Sequence, residues 1–145
     1  MKRFNTKNNF SRQYKTVKKG VNQTSHLLKR GEFGLRSLEY KQVDIKQINS
    51  IKKIIQKKIK LVEKRTNVGK IKFWFYMFPN QATTKLSPET RMGKGKGPIV
   101  SQCCHVKPGQ LLFELSNLSK SKTSEVISCV TNSLSVKTQS LFKSH

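Results

Sequence analysis

Residues 44–78, DIKQINSIKKIIQKKIKLVEKRTNVGKIKFWFYMF, decide the fold, because a helical period is followed there by a strand period. Ile45, Ile48, Ile51, Ile54, Ile55, Ile59 and Val62 recur at spacings of three and four, which gathers them on one helix face. Lys46, Lys52, Lys53, Lys57, Lys58, Lys60 and Lys64 fall mainly on other positions, so one face is core and another cationic. Asp44 reads as the N-cap and Gln47, three residues on, as its capping-box partner. After a turn at residues 66–69, residues 70–78 alternate Ile71, Phe73, Phe75 and Met77 with Lys70, Lys72, Trp74 and Tyr76, the period of a strand. Its second face is aromatic too, so the strand reads as central and covered on both sides; Trp74 and Tyr76 are core residues or, if exposed, base-stacking ones.

Upstream, residues 35–43 read as a strand that follows the turn glycines Gly20, Gly31 and Gly34. Downstream, Pro79 ends the central strand, and residues 80–98 form a long stretch without periodicity. Residues 99–106 and 110–115 read as two strands joined through Pro108 and Gly109 in a hairpin. Helix-initiating residues at 119–124 precede the stripe Val126, Ile127, Val130 and Leu134, and residues 136–142 close the sheet. The fold class is α+β, with a mixed, mostly antiparallel sheet and two helices. The expected core is Ile48, Ile51, Ile55 and Ile59 packed on Ile71, Phe73, Phe75 and Phe113, with Val126, Val130 and Leu134.

The 145 residues carry 30 Lys plus Arg against 7 Asp plus Glu, a formal net charge of +23. Self-repulsion of that size opposes compaction, so a polyanion, nucleic acid above all, is the expected partner. No membrane is expected: the longest apolar run, residues 73–78, is far shorter than the roughly 20 residues of a spanning helix. Three cysteines, two of them adjacent, make an odd set for a disulfide framework and fit a reducing compartment. Residues 1–30 hold nine cations and no acid, and read as a basic extended arm rather than a transit peptide; residues 31–145 read as one domain. Phe10 and Tyr14 lie among Arg12, Lys15, Lys18 and Lys19, which supports nucleic-acid contact, although composition alone is equally that of a solvated tail.

Within the long loop at 80–98, Arg91-Met92-Gly93-Lys94-Gly95-Lys96-Gly97-Pro98 alternates glycines with cations. Gly93, Gly95 and Gly97 let backbone approach a surface closely, while Arg91, Lys94 and Lys96 put charge beside exposed N–H groups; phosphate is the expected ligand, a basic hairpin tip without a ligand the alternative. Neither GxxxxGK[ST] nor GxGxxG is present, so no ATP, NAD or other cofactor and no small-molecule substrate is expected. Cys103-Cys104-His105 lacks metal-site spacing, since adjacent strand residues point to opposite faces. Asp44 is the only aspartate and is accounted for as a cap, so a catalytic constellation has almost no raw material and no enzyme is expected.

Gly31-Glu32-Phe33-Gly34-Leu35, Gln47-Ile48, Gly69-Lys70-Ile71 leading into Phe78-Pro79-Asn80, Thr84, residues 91–97, Pro108-Gly109, Phe113-Glu114 and Lys137-Thr138 together resemble the bacterial-type large-ribosomal-subunit protein sixteen family. The resemblance runs from about residue 10 to residue 142. It implies an alpha/beta hammerhead fold and a structural role in translation on large-subunit ribosomal RNA, beside A-site tRNA near the peptidyl-transferase region and among neighbouring ribosomal proteins. It implies that Arg12, Lys15, Lys18 and Lys19 are arm contacts to RNA, and that Arg91, Lys94 and Lys96 are loop cations facing tRNA and catalytic RNA. The chain departs from the family along the first helix, with isoleucines and lysines in place of small residues and arginines, and at Gln102 in place of an aromatic. Twenty-four lysines to six arginines suggest an A/T-rich organellar genome, hence a mitochondrial ribosome, with bacterial or plastid ribosomes as the other settings. The contrasting reading is a free-standing RNA or DNA binder of chaperone or nucleoid type.

Overall fold

The computed structural model describes residues 20–66, 69–93 and 95–143, together with the backbone of residues 11 and 12. Among the described residues the order is β1 (Ser11–Arg12), β2 (Phe33–Ser37), β3 (Lys41–Asp44), α1 (Ile45–Thr66), β4 (Lys72–Phe75), β5 (Gln81–Thr84), β6 (Ile99–Val106), β7 (Leu111–Ser116), α2 (Lys120–Ser133) and β8 (Thr138–Phe142). The chain is α+β and mostly antiparallel, with its strands divided between two four-stranded sheets. One sheet has the order β1-β5-β6-β3 and the other β4-β7-β2-β8. Among the described residues only the β1–β5 pairing is parallel.

The isoleucine stripe of α1 does what its period implies. Ile48, Ile51, Ile55 and Ile59 are buried and share one cluster with Val43 and Val106 of the first sheet, Leu35, Phe113 and Leu115 of the second, and Val126 and Val130 of α2. Helix α1 packs on α2, β3 and β6. Phe113 is fully buried, whereas Phe73, Phe75 and Leu134 lie half-buried against the cluster.

Three strand readings are corrected. The expected strand 35–43 is two strands in different sheets, and the turn between them is held by one local and one distant bond: Ser37 Oγ donates to the Glu39 carbonyl (2.7 Å), and Glu39 Oε1 accepts the Lys137 N–H (3.0 Å). The central strand expected over 70–78 is the shorter β4, at the edge of its sheet. Strands β6 and β7 do not form a hairpin with each other. The tight turn at Pro108 and Gly109 exists, with Gln110 N–H donating to the Lys107 carbonyl (3.2 Å), but it carries the chain from one sheet to the other.

At the start of α1, Asp44 belongs to β3, and its carboxylate accepts the Ser101 hydroxyl (2.5 Å). Gln47 Oε1 accepts the Ser135 hydroxyl (3.3 Å), so neither side chain makes the expected reciprocal capping bond.

Residues 22–31 lie along the second sheet. Asn22 N–H donates to the Pro108 carbonyl (2.8 Å), and the Ser25 carbonyl accepts the Leu111 N–H (2.9 Å). The buried Glu114 carboxylate then accepts the N–H groups of Lys29 (3.2 Å), Arg30 (2.8 Å) and Gly31 (2.6 Å). Burial opposes ionisation of this carboxyl, but those backbone donors, joined by the Tyr76 hydroxyl, prevail and hold its pKa below the usual carboxylate value.

Two stability measurements follow. Phe113→Ala should cost about 3–5 kcal/mol, as for large-to-small changes in packed cores, and Phe75→Ala less; equal shifts of the denaturation midpoint would refute this ranking. A carboxyl whose folded pKa lies below the unfolded value of about 4.3 contributes stability that is present above that pH and lost as pH falls through the folded value. Glu114→Gln should therefore lower the melting temperature at pH 7, with the gap from wild type closing below about pH 4. A gap independent of pH would mean that the charge contributes nothing.

Candidate nucleic-acid interface

The basic glycine-rich segment is the tip of the β5–β6 hairpin. The ladder pairs Gln81 with Cys103, Ala82 with Gln102, Thr83 with Ser101 and Thr84 with Ile99, so the expected loop at 80–98 is narrowed to the residues beyond Thr84. Its neck is closed by the Lys85 N–H donating to the Pro98 carbonyl (3.2 Å). A turn follows in which Thr90 N–H donates to the Ser87 carbonyl (3.0 Å). Between residues 85 and 98 stand Lys85, Arg91, Lys94 and Lys96 against the single acid Glu89. Arg91, Met92, Gly93, Gly95 and Lys96 are exposed, and Met92 wholly so.

The three loop glycines do different work. Gly93 (φ +95°) and Gly95 (φ +80°) adopt left-handed backbone with nothing within 4 Å of where a Cβ would sit, so conformation alone requires glycine there. Gly97 is required by space: a Cβ would lie 2.4 Å from the Lys85 carbonyl oxygen and 2.9 Å from the Leu86 nitrogen, inside the neck. The loop is thus held open by two turns and pinched at its base, an arrangement that presents backbone N–H groups and cations together.

Of the other sequence-selected cations, Arg12 lies in β1, where its backbone pairs with Ala82. Because β1 runs parallel to β5, the two strands point the same way, toward the hairpin tip. The structure therefore lays the backbone of Arg12 beside the stem of the hairpin, whose tip carries residues 91–93 and 95–97. Lys15, Lys18, Lys19 and Lys94 lie outside the described residues.

A second cationic surface runs along α1, where Lys46, Lys53, Lys57, Lys60, Lys64 and Arg65 are exposed. Glu63 is the only acid on that helix, and its Oε1 accepts the Ile71 N–H (2.9 Å). Sequence reasoning missed the apolar component of the hairpin: Leu86, Ile99 and Val100 are exposed by 46, 52 and 64%. Ile99 and Val100 look like ordinary strand residues in the sequence, and no local signal shows that their end of β6 projects beyond the core.

Cys103 and Cys104 are both buried, and the Tyr40 hydroxyl lies 2.6 Å from His105 Nδ1 with the two rings stacked. Among the described residues no cluster of His, Cys, Asp and Glu is arranged to hold a metal, and no helix is long and apolar enough to cross a membrane.

A cation-bearing hairpin on an α+β base is the arrangement expected of a polyanion-binding protein, and comparison with known proteins gives the family. Residues 5–141 match the family described as ribosomal protein L16p/L10e. The large ribosomal subunit protein uL16 of Allorhizobium ampelinum is 34% identical over 130 residues, covering 90% of this chain and 89% of its own. That of Psychrobacter arcticus is 33% identical over 129 residues, covering 89% and 88%. The chain belongs to the ribosomal protein L16p/L10e family.

The loop geometry gives a graded expectation. Gly97→Val should destabilise the isolated chain most, because its side chain meets backbone rather than a movable side chain. Gly95→Val should cost about 1–2 kcal/mol through the left-handed backbone alone. Arg91→Ala should leave the melting temperature within error of wild type. A Gly97→Val protein that melts like wild type would show that the neck is not closed as described.

Proposed function

We propose that this chain grips large-subunit ribosomal RNA through the β5–β6 hairpin and the basic segment over residues 1–30, and supports A-site tRNA near the peptidyl-transferase centre. By its family the chain is a structural constituent of the large ribosomal subunit, associated with its RNA and with neighbouring ribosomal proteins, and it is not an enzyme. The free-standing RNA or DNA binder is not favoured.

One observation carries the finer reading: the tip has Arg91, Lys96, Gly93 and Gly95 exposed on a neck that Gly97 closes. Little of that tip stabilises the fold, yet its backbone is shaped, which suits a surface selected for contact with phosphate. Arg91 carries the most weight, since a planar guanidinium grips phosphate bidentately and stacks on bases where an ammonium does neither. In this reading Arg12, Lys15, Lys18 and Lys19 serve the arm, Arg91, Lys94 and Lys96 serve the loop, and residues 31–145 supply the rigid base. The excess of lysine over arginine supports an organellar genome and a mitochondrial ribosome, which co-purification with mitochondrial rather than plastid large subunits would test.

Two measurements test the proposal. The logarithm of affinity for large-subunit RNA should fall linearly with the logarithm of salt. Removing residues 1–19, which carry seven cations, should flatten the slope by about 0.7–0.9 for each phosphate that the arm neutralises. An unchanged slope would remove the arm from the interface. Ribosomes reconstituted with Arg91→Ala should assemble poorly or accommodate A-site tRNA slowly, and wild-type assembly and accommodation would overturn the role given to the loop.

A further inference from the structure

Where the two sheets meet, a cleft of about 320 Å³ opens on the face that Asn22 and Thr24 border. Tyr76 reaches it from the end of β4, Phe78 and Gln81 from the crossing into β5, Lys107 and Gln110 from the crossing into β7, and Asn22 from the N-terminal segment. Neither the charge pattern nor the hairpin accounts for it. Its size falls at the lower end of the roughly 300–1,000 Å³ usual for small-ligand sites.

The lining has a particular chemistry. Gln81 Oε1 is shut off from solvent and has no hydrogen-bond partner among the described residues, so turning its amide toward the opening would let it accept a ligand N–H at no cost in internal bonds. Gln110 Oε1 accepts the Lys107 N–H (3.1 Å), which leaves its amide N–H₂ to donate. Acceptor and donor amides at one opening match the mixed donor and acceptor edge of a nucleobase, and Lys107 at the rim matches the phosphate beside it. Phe78 is 56% exposed, and the Tyr76 ring is fixed because its hydroxyl bonds Glu114. Aromatic walls of that kind take the face of an unstacked base.

We propose that this cleft receives one unpaired nucleotide of the large-subunit RNA, its base against Tyr76 and Phe78 with an N–H on Gln81 Oε1. The inference rests on the chain binding that RNA, as proposed above, and adds a site for a single base at a distance from the phosphate-gripping hairpin tip. No covalent chemistry is involved; the base is held, and the RNA is fixed in register on the protein.

The test uses large subunits reconstituted with wild-type, Gln81→Leu or Gln110→Ala protein. RNA bases are probed with dimethyl sulfate, carbodiimide and kethoxal, which together read the pairing edges of all four bases, and the RNA backbone is probed with hydroxyl radicals. One unpaired base protected in wild-type particles should become about two- to tenfold more reactive in both variants, the change that loss of one neutral hydrogen bond gives, while backbone protection by the hairpin is unchanged. Gln81→Leu should fold at least as stably as wild type, because it removes a buried acceptor that has no partner among the described residues. Identical base reactivities with the backbone footprint intact would overturn the cleft proposal alone. Loss of the backbone footprint from wild-type particles would overturn the RNA-binding reading beneath it, and the cleft proposal with it.

Discussion

The buried carboxylate of Glu114 is the constraint on which the chain's path depends. It sits in β7, an inner strand of its sheet, opposite Gly34 of β2 and Trp74 of β4. A buried charge is tolerated only when hydrogen bonds replace water, and here three consecutive backbone N–H groups and a tyrosine hydroxyl do so. Three successive donors converge on one carboxylate only if the backbone of residues 29–31 curves around it. Gly31 permits the approach, since a Cβ there would lie 2.6 Å from the Leu115 carbonyl oxygen. The chain then enters β2 in register with β7, and the residues before it are laid along the edge of the cleft.

From that anchor the division into two sheets follows. The chain passes between the sheets by short connections at residues 38–40, 76–80 and 107–110, through α1 between β3 and β4, and between β1 and β2, and a shared core holds the layers together. The second sheet carries Glu114 and much of the buried apolar surface. The first carries the β5–β6 hairpin, whose far end needs no core of its own because its base is fixed by β3 on one side and β1 on the other. A loop of glycines and cations is thereby mounted on a rigid stem, which suits a contact whose precision comes from the scaffold and whose chemistry comes from the tip.

Periodicity made α1 legible almost residue for residue, since a stripe of isoleucines at helical spacing has one way to be buried. It gave the bounds of β6 for a similar reason, a run closed by Pro98 and Pro108. It did not reveal the break at residues 38–40 or the fate of β6 and β7, because alternation states which face of a strand is buried and not which strand lies beside it. Leu38, 51% exposed in the middle of an apparent strand, is the residue that misleads. At the site, composition singled out the glycine-rich segment, yet only the folded chain separates Gly97, required by space, from Gly93 and Gly95, required by backbone angle. The cleft at Tyr76 and Gln81 was invisible in the sequence, being assembled from four segments that no motif joins.

The disposition of the acids explains why so cationic a chain still folds and why it needs a partner. Of seven acidic residues, Glu39, Glu63 and Glu114 accept backbone N–H groups and Asp44 accepts a serine hydroxyl. These carboxylates hold turns, a helix-to-strand junction and the N-terminal segment, which are places where backbone donors would otherwise lack acceptors. Even if all seven acids also screened neighbouring cations, 23 positive charges would be left over. Folding therefore uses its few anions to satisfy backbone geometry, and the neutralising charge must come from outside the chain. The large-subunit RNA with which the family associates is a polyanion of the kind required, and among the described residues the excess positive charge is concentrated on the lysine face of α1 and at the hairpin tip.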